Sequence, residues 1–207
     1  MTEKEGGQTA SFSHQITENM NSIRSFIAIP LTSEIARAAA LMTKRLRENG
    51  DGIKWVPTDN LHLTLKFLGD VYNTEVPQVC KVVQQICEEH KPFQLKFSGA
   101  GGLPSIERAR VVHAGVQDFS GRLTQIVTQL EQRLAKLGFK PEPRDYRPHL
   151  TLGRSKSRKA NDSVIQKIQN EASKELGEMT VEEVQIVASF LDKHGPTYQV
   201  MNSVDIG

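Results

Sequence analysis

Between residues 23 and 97 the hydrophobic positions follow one order of patterns. Runs and alternations of apolar residues predict strands, and apolar residues three or four positions apart predict amphipathic helices. Thr32 or Ser33 provides an N-cap for the first helix, and Gly50 ends it. In order, the pattern predicts a strand over 23–29, a helix over 33–46, a strand over 61–68, a helix over 74–87 and a strand over 93–97.

The same order returns in the second half of the chain. It predicts a strand over 111–116, a helix over 120–137, a strand over 148–152, a helix over 162–172 and strands over 181–191 and 198–204. Ala28 precedes His62 by 34 positions, and Ala114 precedes His149 by 35. This repeat predicts an α+β fold with two lobes related by a pseudo-twofold axis. Each lobe is expected to be an antiparallel sheet with helices packed on its outer face, and the lobes form a central cleft.

Composition adds the class of protein. The chain has 207 residues, of which 38% are hydrophobic and 24% charged, and this balance favours one globular unit. We expect a flexible tail over 1–20 and a single bilobal domain over 21–207, as a monomer. No apolar stretch is long enough for a membrane span. If Cys80 and Cys87 lie on one helix they are too far apart for a disulfide, which predicts a reducing, cytoplasmic location.

Charge is concentrated in one segment. The net charge is only +2, but residues 140–159 contain seven basic and two acidic residues. Such a tract predicts a polyanion or a phosphorylated small molecule as partner, and a solvated basic loop is the alternative interpretation.

One tetrapeptide occurs twice: His62-Leu63-Thr64-Leu65 is identical to His149-Leu150-Thr151-Leu152, 87 positions later. In a strand, the histidine and threonine of each copy share one face, and the leucines share the other. The leucines are expected to pack in the core, while the pseudo-twofold axis brings His62, Thr64, His149 and Thr151 into one cleft.

Two imidazoles and two hydroxyls suit phosphodiester cleavage. One imidazole can act as general base and the other as general acid at neutral pH. The hydroxyls can donate hydrogen bonds to phosphate oxygens. We expect neither a metal nor a cofactor, because no metal-ligand spacing is present around either histidine.

The paired motifs resemble those of the 2H phosphoesterase superfamily, and in particular its RNA 2',3'-cyclic phosphodiesterase (2'-5' RNA ligase) family. The matching stretches are Arg24–Ile29, Asn60–Gly69 and Arg147–Arg154. The resemblance implies hydrolysis of RNA 2',3'-cyclic phosphate ends to 2'-phosphomonoesters, with His62 as proton donor and His149 as proton acceptor. It also implies reversible 2'-5' ligation, since some members join tRNA halves. His113 departs from the pattern, which has an aromatic residue there.

Two further residues are candidates for binding phosphate. Lys66 has the strand parity of His62 and Thr64, although a lysine paired elsewhere fits equally well. Arg154 has the opposite parity to His149 and reaches the cleft only if the strand bends near Gly153. Phe67 and Tyr146 are candidates for stacking on a base, and the glycine-rich segment 99–102 is interpreted as an ordinary loop.

Two alternatives to an RNA phosphodiesterase stay open. One is a non-catalytic nucleotide- or RNA-binding module with the same fold, and the other is a cyclic phosphodiesterase for a small molecule. Two intact motifs favour catalysis, and the basic tract favours a long substrate.

Overall fold

The computed structural model describes residues 22–157, 159–193 and 195–207, so the predicted tail and His194 lie outside the described residues. The strands are β1 (Ser22–Pro30), β2 (Ile53–Trp55), β3 (His62–Tyr72), β4 (Phe93–Leu103), β5 (Val111–Gln117), β6 (His149–Ser155), β7 (Glu175–Val181), β8 (Glu183–Leu191) and β9 (Pro196–Asp205). The helices are α1 (Ser33–Leu46), α2 (Val76–Cys87), α3 (Arg122–Ala135) and α4 (Asp162–Asn170). Short 3-10 turns lie at Thr58–Asn60 and Ile106–Arg108.

The strands form two antiparallel sheets, which confirms the predicted fold class. Sheet A has the order β3-β1-β8-β9, and sheet B has the order β2-β6-β5-β4-β7. The two motif strands lie side by side where the sheets meet, since β3 of sheet A contacts β6 of sheet B. The site is therefore built where the two copies of the repeat approach each other.

The two repeats are interlocked. The first contributes β1 and β3 to sheet A but β4 to sheet B, and the second contributes β5 and β6 to sheet B but β8 to sheet A. The helices also cross over: α2 and α3 pack beneath sheet A, whereas α1 and α4 pack beneath sheet B. Their buried faces join the inner faces of both sheets in one core that includes Leu63 and Leu150. Neither lobe corresponds to one repeat.

A bulge occurs at the same place in both motif strands. Lys66 pairs with Ile27 while Thr64 pairs with Ala28, so Leu65 is an extra residue in β3. The pairing of β6 with β5 skips Leu152 in the same way. A bulge of one residue reverses the face of the side chains that come after it. This reversal decides which residues after each motif reach the cleft.

Two predicted elements are wrong in detail. The segment 99–102 is part of β4 rather than a loop, because Gly99 adopts a left-handed backbone at a bulge and the strand continues to Leu103. The apolar run 181–191 is two strands, since β7 ends at Val181 in sheet B and β8 begins at Glu183 in sheet A. Both cysteines are unpaired thiols on α2. In the part of the chain described, no helix is long and apolar enough to cross a membrane.

Candidate active site

The two motif histidines are held in the same way. The Nδ1 atom of His62 lies 2.8 Å from the carbonyl oxygen of Asn60, and Nδ1 of His149 lies 2.7 Å from that of Arg147. A carbonyl oxygen only accepts, so Nδ1 carries the hydrogen in both rings and Nε2 is left to exchange a proton. Each imidazole is thus oriented for acid or base catalysis by the residue two positions before it.

Thr64 and Thr151 lie on the same faces as their histidines, as the alternation predicts. Both threonines are half-buried, and the leucines between them and the histidines are fully buried. Tyr146 does not act as a stacking surface here: its hydroxyl donates to the carbonyl oxygen of Thr64 at 3.0 Å, and its burial raises its pKa. This bond ties the segment before β6 to β3.

Arg154 reaches the cleft because of the bulge at Leu152. It stands beyond the bulge on the face of His149 and Thr151, is exposed, and lies close enough to His62 to lower the pKa of that imidazole. The strand was predicted to bend near Gly153 if Arg154 were to reach the cleft, and the bulge lies one residue before Gly153. Arg154 therefore brings a positive charge from the strand of the second motif to the vicinity of His62.

Lys66 does not reach the cleft, and its prediction as a phosphate ligand is wrong. The bulge at Leu65 turns its side chain to the core side, where it is fully buried. Its Nζ donates to Glu131 Oε2 at 2.7 Å and to the carbonyl oxygen of Lys140 at 3.0 Å. The paired lysine of the alternative interpretation is the one observed. Phe67 takes the cleft side and is 52% exposed.

His62 sits in an aromatic wall on sheet A. Its ring stacks on Phe26 with centroids 4.6 Å apart and meets Tyr198 edge-on at 5.3 Å. Burial lowers the pKa of His62, the hydrogen bond to Asn60 opposes this, and Arg154 lowers it further. The imidazolium form is therefore less favoured in the free protein than in water.

An open cavity of about 590 Å³ adjoins His62. Its walls are the cleft face of sheet A, which includes Phe26 and Tyr198, the first turns of α1, and the 3-10 turn at Thr58–Asn60. The volume and the mixed aromatic and polar lining suit a nucleoside-sized ligand.

His149 has a different neighbour. The His113 ring lies 5.5 Å from it, centroid to centroid, and fits over Gly101, where a Cβ would come within 2.6 Å of the ring. Burial lowers the pKa of His113, and the neighbouring His149 lowers it further. An interaction with the backbone of Ala114 opposes both effects. The Nδ1 atom of His113 is buried without a hydrogen-bond partner, and its ring forms the wall beside His149.

Sequence reasoning assigned no role to Phe26 or Tyr198. Alternation in β1 and β9 places both on the cleft faces of their strands, but it does not show that β8 and β9 join the sheet of β1. Among the described residues no group of three or more His, Cys, Asp or Glu side chains has the arrangement of a metal site.

Comparison with known sequences gives consistent matches. A family model described as the 2'-5' RNA ligase superfamily matches residues 33–190. The chain is 34% identical over 179 residues to the RNA 2',3'-cyclic phosphodiesterase of Methanothermobacter thermautotrophicus, covering 86% of this chain and 96% of that protein. It is 31% identical over 191 residues to the enzyme of the same name from Aquifex aeolicus, covering 91% and 100%.

Solved structures share the fold. TT0787 of Thermus thermophilus superposes with a TM-score of 0.76 at 25% identity, covering 89% of this chain and 98% of that one. Escherichia coli LigT, solved with 3'-AMP, superposes with a TM-score of 0.73 at 24% identity over the same shares of the two chains.

Proposed function

This chain belongs to the 2'-5' RNA ligase superfamily, and from its site we propose that it hydrolyses 2',3'-cyclic phosphate ends of RNA to 2'-phosphomonoesters. Relatives named RNA 2',3'-cyclic phosphodiesterase, 34% and 31% identical over most of the chain, support this class of hydrolase. The observation that carries the proposal is the pair of identically held imidazoles on adjacent strands, each with its Nε2 available and a threonine beside it.

Hydrolysis needs one base and one acid on opposite sides of the phosphorus atom. We assign His149 as the base: its Nε2 takes a proton from water while the water oxygen bonds to phosphorus. The bond from phosphorus to the ribose O3' breaks, and protonated His62 gives its Nε2 proton to that oxygen. The phosphate stays on O2', which yields the 2'-phosphomonoester.

Groups between the two histidines stabilise the negative charge on the non-bridging oxygens of the phosphate. The hydroxyls of Thr64 and Thr151 donate to these oxygens, and the Arg154 guanidinium supplies positive charge from the cleft face of β6. All three side chains stand on strands of the two sheets, which hold them before the substrate arrives. This fixed arrangement favours the transition state without a reorganisation step.

The cavity beside His62 supports the division of roles between two equivalent histidines. The leaving oxygen belongs to the terminal ribose, so the terminal nucleoside must lie on the side of the acid. The nucleoside-sized space opens next to His62, whereas His149 is flanked by His113. We therefore place the nucleoside against Phe26 and Tyr198 and the attacking water at His149.

The proposed function is tested with an oligoribonucleotide ending in a 2',3'-cyclic phosphate, incubated with the purified chain in EDTA. We expect a 2'-phosphate product, retained activity in EDTA and a bell-shaped pH dependence, because both catalytic groups are imidazoles. A 3'-phosphate product would overturn the assignment of the leaving oxygen. Activity lost in EDTA and restored by a metal would overturn the mechanism.

The two alternatives give different results in this assay. Tight binding of the RNA without conversion would favour a non-catalytic module, and conversion of cyclic mononucleotides alone would favour a small-molecule phosphodiesterase. A 5'-hydroxyl in the place of water would attack the same phosphorus and form a 2'-5' linkage, so ligation of RNA ends such as tRNA halves is part of the proposal. We further propose a cytoplasmic monomer, consistent with two free thiols and a cleft completed within one chain.

The pH profile is expected to depend on Arg154. In the free protein the pKa of His62 lies below its usual value of 6.5, chiefly through burial and also through Arg154. Turnover requires protonated His62 and an unprotonated base together, so the pH optimum of kcat/KM lies midway between the two pKa values and moves with the pKa of His62. Arg154→Gln removes the repulsion and raises the pKa of His62, so the pH optimum moves to higher pH, while KM rises about tenfold through the lost charge-assisted hydrogen bond.

Rates on a cyclic mononucleotide over a range of pH measure this effect. Tyr198, whose own pKa burial raises, faces His62 but stays neutral throughout the range. Lys81→Gln, an exposed change on α2 distant from the cleft, is the matched control. A pH optimum that stays in place, or moves to lower pH, in Arg154→Gln would contradict the electrostatic coupling between Arg154 and His62.

A further inference from the structure

A second cavity, of about 610 Å³, adjoins the one beside His62. It lies between the C-terminal half of α1 and the segment that runs from Trp55 to Thr58. Ala40 and Thr58 line both cavities, so the two meet at these residues. Together they form one groove, here named the α1 groove, which leads away from the acid histidine along the helix.

One face of α1 lines the whole groove. The helix residues involved recur at intervals of three and four positions, which is the spacing of a single helical face. Four of them are small, so the helix backbone forms a shallow floor. They are Ser33, Ala36, Arg37, Ala40, Thr43 and Lys44, and Arg47 follows as the C-cap residue.

The large side chains on this face are all cationic. Arg37, Lys44 and Arg47 are exposed and stand in one row. The acidic group at the far end of the groove, Glu48, is already engaged, since Lys167 Nζ lies 3.0 Å from its carboxylate. Bonds from Ser163 and Lys167 lower its pKa. Asp59 is the other acidic residue in the lining, so the three cations leave the groove with a net positive charge that complements a chain of phosphates.

Trp55 adds an aromatic surface to the groove. Its indole Nε1 donates to Asp51 Oδ2 at 2.8 Å, which fixes the ring, and the half-buried side chain lines the second cavity. A cationic track beside a fixed aromatic ring is the arrangement that binds single-stranded nucleic acid, with the cations on the backbone and the ring against a base.

We propose that the α1 groove binds the RNA strand on the 5' side of the cyclic phosphate end. This inference rests on the proposed function, which puts the terminal nucleoside in the cavity beside His62. The terminal nucleoside carries the cyclic phosphate on its 3' side, so the RNA strand continues only in the 5' direction. The α1 groove is the open path that leads from that cavity. From Arg37 to its last residue, Leu46, the helix rises about 14 Å, the length of about four stacked nucleotides.

The test compares a cyclic mononucleotide with a single-stranded hexaribonucleotide ending in a 2',3'-cyclic phosphate. In Lys44→Gln/Arg47→Gln, the ratio of kcat/KM for the hexamer to kcat/KM for the mononucleotide is expected to fall about tenfold at low salt. The slope of log kcat/KM against log salt for the hexamer should become shallower by about 1.4, since two phosphate contacts to a single strand are lost. Lys81→Gln/Lys136→Gln removes two exposed charges elsewhere and should leave ratio and slope unchanged.

An unchanged ratio in the groove variant would overturn the proposal. So would a ratio that falls in Lys156→Gln/Lys159→Gln and not in the groove variant, because the RNA would then follow the basic segment 140–159. If the wild type hydrolyses neither substrate, the proposed function fails. Fluorescence anisotropy of a labelled hexamer then tests RNA binding by the α1 groove independently of catalysis. Weaker binding to the groove variant than to the control supports the groove, and equal binding overturns it.

Discussion

His149→Ala is expected to hydrolyse a 2',3'-cyclic phosphate end 10² to 10⁴ times more slowly than the wild type, roughly what one positioned general base contributes. In the proposed mechanism water then attacks phosphorus without a group to take its proton, while the proposed phosphate ligands Thr64, Thr151 and Arg154 are all retained. The loss should therefore appear in kcat rather than in KM. His62→Ala should lose a similar factor, because the leaving O3' departs unprotonated.

A substrate with sulfur in place of the 3' oxygen separates the two roles. A thiolate leaves without protonation far more readily than an alkoxide, so it reduces the need for an acid and not for a base. We expect His62→Ala to recover most of its activity on this substrate and His149→Ala to recover none. Recovery in His149→Ala instead would reverse the two assignments, and near-wild-type turnover of either variant on the normal substrate would refute the mechanism.

Glu131→Ala is expected to lower the free energy of unfolding by about 3 kcal/mol, the lower end of the cost of breaking a buried ion pair. The Lys66 ammonium is fully buried, whereas the Glu131 side chain is 22% exposed. Without Glu131, the carbonyl oxygen of Lys140 is the partner that remains to this charge among the described residues. The backbone N–H of Glu142 also loses its acceptor, since it donates to Glu131 Oε2 at 3.1 Å. Urea unfolding measures the loss.

The double variant Lys66→Met/Glu131→Leu is the control. An apolar pair of similar volume leaves no buried charge, so most of the lost stability should return. Because Lys66 faces the core, the folded double variant should also retain turnover. A double variant as unstable as Glu131→Ala would show that the cost does not come from the stranded ammonium, and a stable but inactive one would return Lys66 to the phosphate site.

The four motif residues were readable from the sequence because both their identity and their spacing repeat. An identical tetrapeptide in two copies of one unit fixes the strand, the face and the partner of each histidine together. The residues just beyond the motif were not readable, for a physical reason. The bulges at Leu65 and Leu152 reverse the parity of the later residues in each strand, and a bulge at a leucine has no residue type that marks it in the sequence.

Long-range pairing set the other limit. Alternation of apolar and polar residues was enough to predict most strands. The segment 181–191, however, is one apolar run in the sequence, although its two ends belong to different sheets. Tyr198 entered the site for the same reason, since β9 reaches the cleft only by pairing with β8. Local pattern determines which face of a strand is apolar, and tertiary packing determines which sheet receives that strand.

The exchange of strands and helices between the repeats has a mechanical consequence. Domain closure by a hinge requires two bodies joined by a few flexible residues, and here the chain passes back and forth between the two sheets through a shared core. We therefore expect the cleft to keep nearly the same width whether it is empty or loaded. For the proposed RNA substrate, nearly all of the ordering on binding is then expected in the nucleic acid, and free and bound protein backbones should superpose almost completely.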